Sequence, residues 1–434
     1  MRLLVLGGTA FLGRHVTTAA LARGHEVATF TRGVSGDPPE GARPLHGDRD
    51  DPGALPAALA GWRPDAVVDT SCRTRAAARN AAAALGGVSG YAFVSSLNAY
   101  RNWPPGPIGA EDGEPTWDTA DDDYGPTKAA AERTIGAAVG EGFLTARAGL
   151  IVGPYDYVHR LGWWLERIAR GGRVVVPAED VEQPIALVDA RDLAGWLVAV
   201  AERGQGGAVN ATGPAGMTTL AGLLDTCREV TGGDAEWVGV PEADLAGAGV
   251  QPWLHLPLWL PRETARTAWD VDTSRARELG LAGRPLVESV ADTWAWQQTD
   301  TRPRYSPFGL PPPGLPADLE AALVAGRWDA GPARTSPGGP PRPCRAPRPG
   351  SRPESAQGGE EGVLRQSLGS IGRPASRLRS WSAAAASRAC SRRSSSASRA
   401  ASAARASADS CARSVRYRRK EWVTAAAQTR QITA

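Results

Sequence analysis

The opening thirteen residues, MRLLVLGGTAFLG, constrain this chain more than any other stretch. Leu3, Leu4, Val5 and Leu6 form an unbroken apolar run, the pattern of a strand covered on both faces in a parallel sheet. Gly7, Gly8 and Gly13 follow at once, and Val16 to Leu21 has the apolar periodicity of a helix. Strand, glycine turn, helix is the context in which such glycines cradle a dinucleotide. On that reading Gly7 makes the tight turn, Gly8 lets the backbone approach a pyrophosphate, and Gly13 lets the helix lie close against the strand. Thr9, Ala10, Phe11 and Leu12 complete the turn, and the helix N-terminus offers free N–H groups to the phosphates. A glycine-rich turn opening an ordinary βαβ unit is the plainer alternative.

The same alternation continues. Glu26–Phe30, Pro44–His46, Ala66–Asp69, Tyr91–Ser95 and Phe143–Arg147 read as strands, with helical segments over 52–60, 73–85 and from Tyr124. Alternating strands and helices predict an α/β, Rossmann-like, doubly wound parallel sheet, whose ligands bind at the carboxyl ends of the strands. Thr70, Ser71, Ser95 and Ser96 stand at such ends. So does Arg32, where an acid would hold the ribose 2′-hydroxyl of NAD and an arginine accommodates the 2′-phosphate of NADP. The cofactor expected is therefore NADP, with NAD as the alternative. Asp48, followed by Arg49, either accepts from an adenine amino group or caps the next helix.

Residues 1–155 read as the cofactor-binding domain. Residues 156–330 read as a smaller C-terminal substrate lobe, with parts of 180–240 returning to the sheet. Gly149 to Pro154 reads as loop, and Trp103 to Asp123 as a long loop or lid over the site. Trp253, Trp259 and Trp269 in the lobe either stack on a substrate ring or fill its core.

From Gly331 the composition turns to Ser, Arg, Ala, Pro and Gly, which predicts a disordered tail over 331–434. Twenty of the 49 Lys and Arg but only five of the 46 Asp and Glu lie there. The body is thus net negative and the tail strongly positive. An acidic body fits a small-molecule enzyme rather than a nucleic-acid binder, and leaves the tail as the only segment suited to nucleic acid. The absence of a long apolar run or leader predicts a cytoplasmic protein without a membrane span. The five cysteines, at 72, 227, 344, 390 and 411, have no metal-ligand spacing, so no metal is expected. A homodimer is left open.

Tyr124 and Lys128 stand four apart on a helix that Pro126 opens, so they share a face. A nearby ammonium favours tyrosinate, which would suit Tyr124 to general acid–base work, while Ser96 holds the reacting oxygen. Only two lysines, Lys128 and Lys420, occur among 49 basic residues. A lysine kept in an otherwise arginine background marks a place where a compact ammonium is wanted.

Together GGTAFLG, GDRDD, VVDTS, FVSSLNAY and YGPTKAAAE resemble the extended, atypical short-chain dehydrogenase/reductase superfamily, which includes the NAD-dependent epimerases and dehydratases. The resemblance covers about residues 1–300. It implies Tyr124 as catalytic acid/base, Lys128 on the nicotinamide ribose, and Ser96 on the substrate oxygen. It also places Asp48 and Arg49 at the adenine, and Thr70 and Ser71 along the cofactor. The expected reaction is oxidoreduction or epimerisation of a hydroxyl/carbonyl pair in a nucleotide sugar or small carbonyl compound. Ala10 replaces the usual middle glycine, and Ala148-Gly149 a common Pro-Gly. Leu97-Asn98 stands where sugar dehydratases carry Asp-Glu, which argues against elimination of water. The alternative is a non-catalytic dinucleotide-binding protein with an RNA-binding or regulatory role, as in chloroplast stem-loop RNA-binding proteins, which resemble the same branch.

Overall fold

Successive side chains of a strand point to opposite faces, and the first strand shows what that does here. In the computed structural model, which describes residues 1–300 and 312–327, β1 (Arg2–Leu6) sends Leu3 and Val5 into one hydrophobic layer and Leu4 and Leu6 into another. All four are fully buried, as the uninterrupted apolar run requires.

The first half of the chain runs α1 (Phe11–Ala22), β2 (Glu26–Thr31), β3 (Arg43–His46), α2 (Ala54–Leu59), β4 (Ala66–Asp69), α3 (Arg75–Leu85), β5 (Gly90–Ser96), α4 (Tyr124–Val139) and β6 (Phe143–Ala148). It continues with β7 (Leu150–Val152), α5 (Arg160–Ala169), β8 (Gly172–Pro177), β9 (Pro184–Ile185), β10 (Leu187–Asp189), α6 (Ala190–Glu202) and β11 (Gly207–Ala211). The central sheet has seven strands in the order β11-β6-β5-β4-β1-β2-β3. Every pair in it is parallel, with Leu3 beside both Val27 and Ala66. The order reverses at β1 and β4, the switch point at which such sheets bind their ligands. Helices α1 and α6 cover one face, burying Val16, Ala20, Leu193 and Leu197. Helices α2, α3 and α4 cover the other, burying Leu55, Ala77, Ala81 and Ile135 against Phe30 and Phe93.

After β6 the chain leaves the sheet and returns to it. Leu150–Val152, expected as loop, is a strand that pairs in parallel with β10. Gly149 ahead of it fits only without a Cβ, which would lie 2.2 Å from Thr212 Oγ1. The remaining elements are β12 (Thr218–Thr219), α7 (Leu220–Thr231), β13 (Ala235–Val240), α8 (Glu242–Gly247), α9 (Arg262–Ala268), α10 (Ser274–Glu278), α11 (Leu286–Thr299) and α12 (Ala317–Val324). Together with α5, β8 and β9, most of them enclose a third core. Trp253, Trp259 and Trp269 are buried in that core, which settles their alternative in favour of packing. The 103–123 segment is pinned rather than free: Trp103 donates to Ala268 O at 2.8 Å, and Glu111 accepts from Asn210 N at 2.7 Å. The sequence reading of 331–434 lies outside the described residues.

Candidate active site

A cleft of about 1020 Å³ opens along the carboxyl ends of the strands. Of the residues singled out from sequence, it is lined by Gly7, Thr9 to Gly13, Arg32, Asp48, Arg49, Thr70, Ser71, Ser95, Tyr124 and Lys128. Gly8 and Ser96 do not line it.

Helix α1 begins at Phe11, five residues earlier than its apolar periodicity indicates, because its first turn belongs to the glycine cradle. Its N-cap, Ala10, makes no side-chain cap bond, and the first turn holds no acid. The leading N–H groups of a helix have no partner within it, so this end carries donors and partial positive charge into the cleft. The glycines keep the space open. Gly7 has φ +95°, and a Cβ there would strike Ser71 Cβ at 2.6 Å; one on Gly13 would sit 1.9 Å from Gly7 O. Gly8 is constrained from the side away from the cleft. Its missing side chain faces inward, where a Cβ would lie 2.4 Å from Thr29 Cγ2. This cradle, backed by an uncapped helix of twelve residues, fits the diphosphate of a dinucleotide.

The strand ends form a buried polar network below the cradle. Asp69 accepts from Arg49 Nη1 at 2.6 Å and Nη2 at 2.8 Å, from Tyr91 Oη at 2.8 Å and from Ser71 N at 3.1 Å. Burial would raise the Asp69 carboxyl, but the Arg49 charge and these donors hold it below the ordinary value. Arg49 therefore lines the cleft with its guanidinium anchored to Asp69 and Ser71. Asp48 does not cap α2; its Oδ1 accepts from Asp50 N at 3.0 Å inside the turn.

Tyr124 is the first residue of α4, and Lys128 lies one turn on. Lys128 is 1 % exposed and donates from Nζ to Val94 O at 3.0 Å. Its Nζ is 5.2 Å from the Phe93 ring centre and 5.6 Å from that of Tyr124, so the pair shares a face. Burial pulls the Lys128 ammonium down to about 8. The Tyr124 hydroxyl is closed off from solvent, without a hydrogen bond of ordinary geometry among the described residues. Burial pushes the phenol well above its usual value, with Arg73 and the Ser96 hydroxyl pulling it partly back. This corrects the sequence expectation: desolvation outweighs any acidifying effect of Lys128, and the cation that acts on the phenol is Arg73. Ser96 is held in turn by Asn98, whose N and Nδ2 both donate to its Oγ at 3.2 Å.

Ser95 donates to Glu132, which forms a buried ion pair with Arg147 at 2.8 Å. It thus reaches the cleft wall with its hydroxyl committed elsewhere. Sequence reasoning did not find Arg14, Asp37, Arg73, Asp156, Tyr157 or Arg160, all of which line the cleft. Most of them come from loops with no local motif. The one available signal was the Tyr155–Tyr157 stretch after Gly-Pro, where the chain turns back over α1; Tyr157 meets Phe11 edge-on at 6.0 Å.

Residues 3–212 match the model of the NAD dependent epimerase/dehydratase family. Among characterised relatives, the chain is 31 % identical over 227 residues to 2′-dehydrokanamycin reductase of Streptomyces kanamyceticus, a match spanning 47 % of this chain and 62 % of that protein. It is 27 % identical over 297 residues to dTDP-6-deoxy-L-talose 4-dehydrogenase (NAD(P)(+)) of Kitasatospora kifunensis, covering 62 % of this chain and 93 % of that one. The fold is shared with the UDP-glucose 4-epimerase of Thermus thermophilus, solved in complex with NAD, at a TM-score of 0.53 and 20 % identity over 69 % of this chain and 99 % of that one. It is shared equally with the UDP-Glc/GlcNAc 4-epimerase of Campylobacter jejuni, at 0.54 and 15 % identity over 69 % and 99 %. No helix among the described residues is long and apolar enough to cross a membrane.

Proposed function

We propose that this chain is an NAD(P)-dependent oxidoreductase that reduces a carbonyl of a nucleotide sugar or small carbonyl compound, with Tyr124, Lys128 and Ser96 as its catalytic set. The observation that carries the reading is the sealed Tyr124 phenol, acted on by the Ser96 hydroxyl and one helical turn from a buried lysine in the same cleft as the glycine cradle. The dinucleotide would lie along Gly7 to Gly13, Thr70 and Ser71, with Arg32 at the mouth favouring the 2′-phosphate of NADP. The substrate would meet the 156–330 lobe. The nicotinamide supplies the hydride when bound. Lys128 donates to the ribose, and Ser96 holds the substrate oxygen. Tyr124 gives that oxygen its proton; a phenol kept protonated at neutral pH suits this direction. The two relatives are named as a reductase and a dehydrogenase, which supports the class but not the substrate.

The test is fluorescence titration of the full chain with NADPH and NADH, followed by turnover on a panel of keto sugars and aldehydes. Tyr124→Phe is expected to lower kcat by at least about 100-fold with cofactor affinity unchanged. Arg32→Ala is expected to weaken NADPH about tenfold and leave NADH alone, the worth of one phosphate contact. Failure to bind either cofactor, or full turnover by Tyr124→Phe, overturns the reading.

A further inference from the structure

Helix α4 carries polar side chains at every fourth position: Tyr124, Lys128 and, one turn further in, Glu132. Glu132 is 8 % exposed and takes no part in the proton transfer proposed above. Its two carboxylate oxygens meet different partners. Oε1 accepts from the Ser95 hydroxyl of β5, and Oε2 from Arg147 Nη2 of β6 at 2.8 Å, with Arg147 Nε 3.3 Å from both oxygens. Ser95 and Arg147 are themselves paired across the two strands. The Tyr100 ring backs the Arg147 guanidinium, 4.5 Å from its carbon, and Tyr100 Oη donates to Asn210 Oδ1 of β11 at 2.6 Å. The carboxylate is thus tied directly to two strands of the sheet and through Tyr100 to a third.

Apolar packing fixes the height of α4 along its axis only weakly. Ile135 is the one large apolar side chain among its buried residues, and Gly125, Ala129, Ala130 and Ala131 present shallow ridges. Interdigitating side chains set the register of a helix on its neighbours, and small ones give it little to engage. Polar ties take over that task. Lys128 Nζ rests on Val94 O at 3.0 Å, and Glu132 rests on the next residue of the strand, Ser95. A buried ion pair commonly adds no stability over apolar side chains of similar volume; what it can impose is a geometry.

We propose that Glu132 and Arg147 are positioning residues for the reaction: clamped to β5 and β6, they hold α4 at the height that sets Tyr124 against the substrate oxygen and Lys128 against the ribose. This rests on the reading of the cleft as a reductase site. A slip of one residue along the helix is a movement of about 1.5 Å, and a misplacement of about 1 Å can cost on the order of 100-fold in rate.

The experiment compares the full wild-type chain with the double variant Glu132→Met, Arg147→Met, by urea midpoint and by kcat and KM on a carbonyl compound that the wild type reduces. Removing both charges strands neither ion, so the double variant is expected to keep the wild-type midpoint or exceed it. Its kcat is expected to fall at least about tenfold, with KM for the carbonyl compound within about twofold. A pair that only supports the fold predicts a stable double variant with full kcat, and that result overturns the proposal. So does a loss that falls on KM alone. Should the double variant not fold, or be less stable than wild type, Ser95→Ala decides, because it frees one carboxylate oxygen and leaves the ion pair in place. Its kcat should fall at least about threefold with NADPH affinity unchanged. A kcat equal to wild type, or a fall matched by an equal loss of NADPH affinity, overturns the proposal. A wild type that reduces nothing, or full turnover by Tyr124→Phe run alongside, would instead defeat the reductase reading itself, and the positioning role with it.

Discussion

Lys128→Met should stabilise this protein while abolishing its turnover. The Lys128 ammonium is buried beside two aromatic rings, with Val94 O as its hydrogen-bond acceptor and no carboxylate in an ion pair among the described residues. Its folded value of about 8, against an ordinary 10.5, corresponds to roughly 3 kcal/mol of disfavour for the charged form. Losing the bond to Val94 takes back about 1 kcal/mol. Methionine fills nearly the same volume, so packing changes little. The expected net gain at pH 7 is therefore about 2 kcal/mol, read as a higher urea midpoint. The pH dependence gives a sharper check. Below about pH 8 both folded and unfolded chains hold the proton, and the penalty on wild type is full. Between about 8 and 10.5 the unfolded chain holds a proton that the folded one has released, so raising the pH favours folding. The advantage of Lys128→Met should shrink across that window and level off above it. A gap between the two proteins that is constant from pH 6 to 10.5, or a variant less stable at pH 7, would refute the argument that this ammonium is held against its own solvation.

Two further expectations concern the scaffold. Asp69→Leu leaves the Arg49 guanidinium buried without its carboxylate and should cost about 3–5 kcal/mol, whereas Asp69→Leu with Arg49→Met should cost less than Asp69→Leu alone; urea midpoints that simply add would show the pair is not coupled. Because Asp69 sits below its ordinary value, its contribution is complete above about pH 4 and lost as the pH falls through the folded value, so the gap to Asp69→Leu should narrow only in acid. Gly13→Ala places a Cβ 1.9 Å from Gly7 O, backbone that cannot swing aside, so NADPH binding should fall at least tenfold in a fluorescence titration; unchanged affinity would mean that α1 shifts freely.

Local patterns read well where local physics decides. The run Leu3–Leu6 is apolar because both faces of β1 are covered, and that fact is visible in four letters. Tyr124 and Lys128 meet because a helix repeats every 3.6 residues, and Pro126 marks where the helix starts. What the sequence concealed is tertiary. Arg49 and Asp69 are twenty positions apart, and nothing near either residue announces their bond. Gly8 also has a constraint that its own turn does not show, from Thr29 on the neighbouring strand. The direction of the Tyr124 shift was misjudged for the same reason: the spacing to Lys128 is local, whereas the burial that dominates comes from the surrounding fold. Arg160 follows a histidine in no motif, and the Trp253 ring on which it packs lies some ninety residues later in the chain.

The return of the chain to its sheet governs how the molecule can be taken apart. Strand β11 pairs with β6 only after the excursion through 149–186, and α6 lies on α1. A cut near residue 155 would strip β6 of its outer neighbour and lay bare Val16 and Ala20, so the amino-terminal piece would be sticky rather than a free-standing cofactor module. Recombination with a relative would need three crossovers, two flanking the excursion and one after β11, because the third core draws on both stretches of the chain.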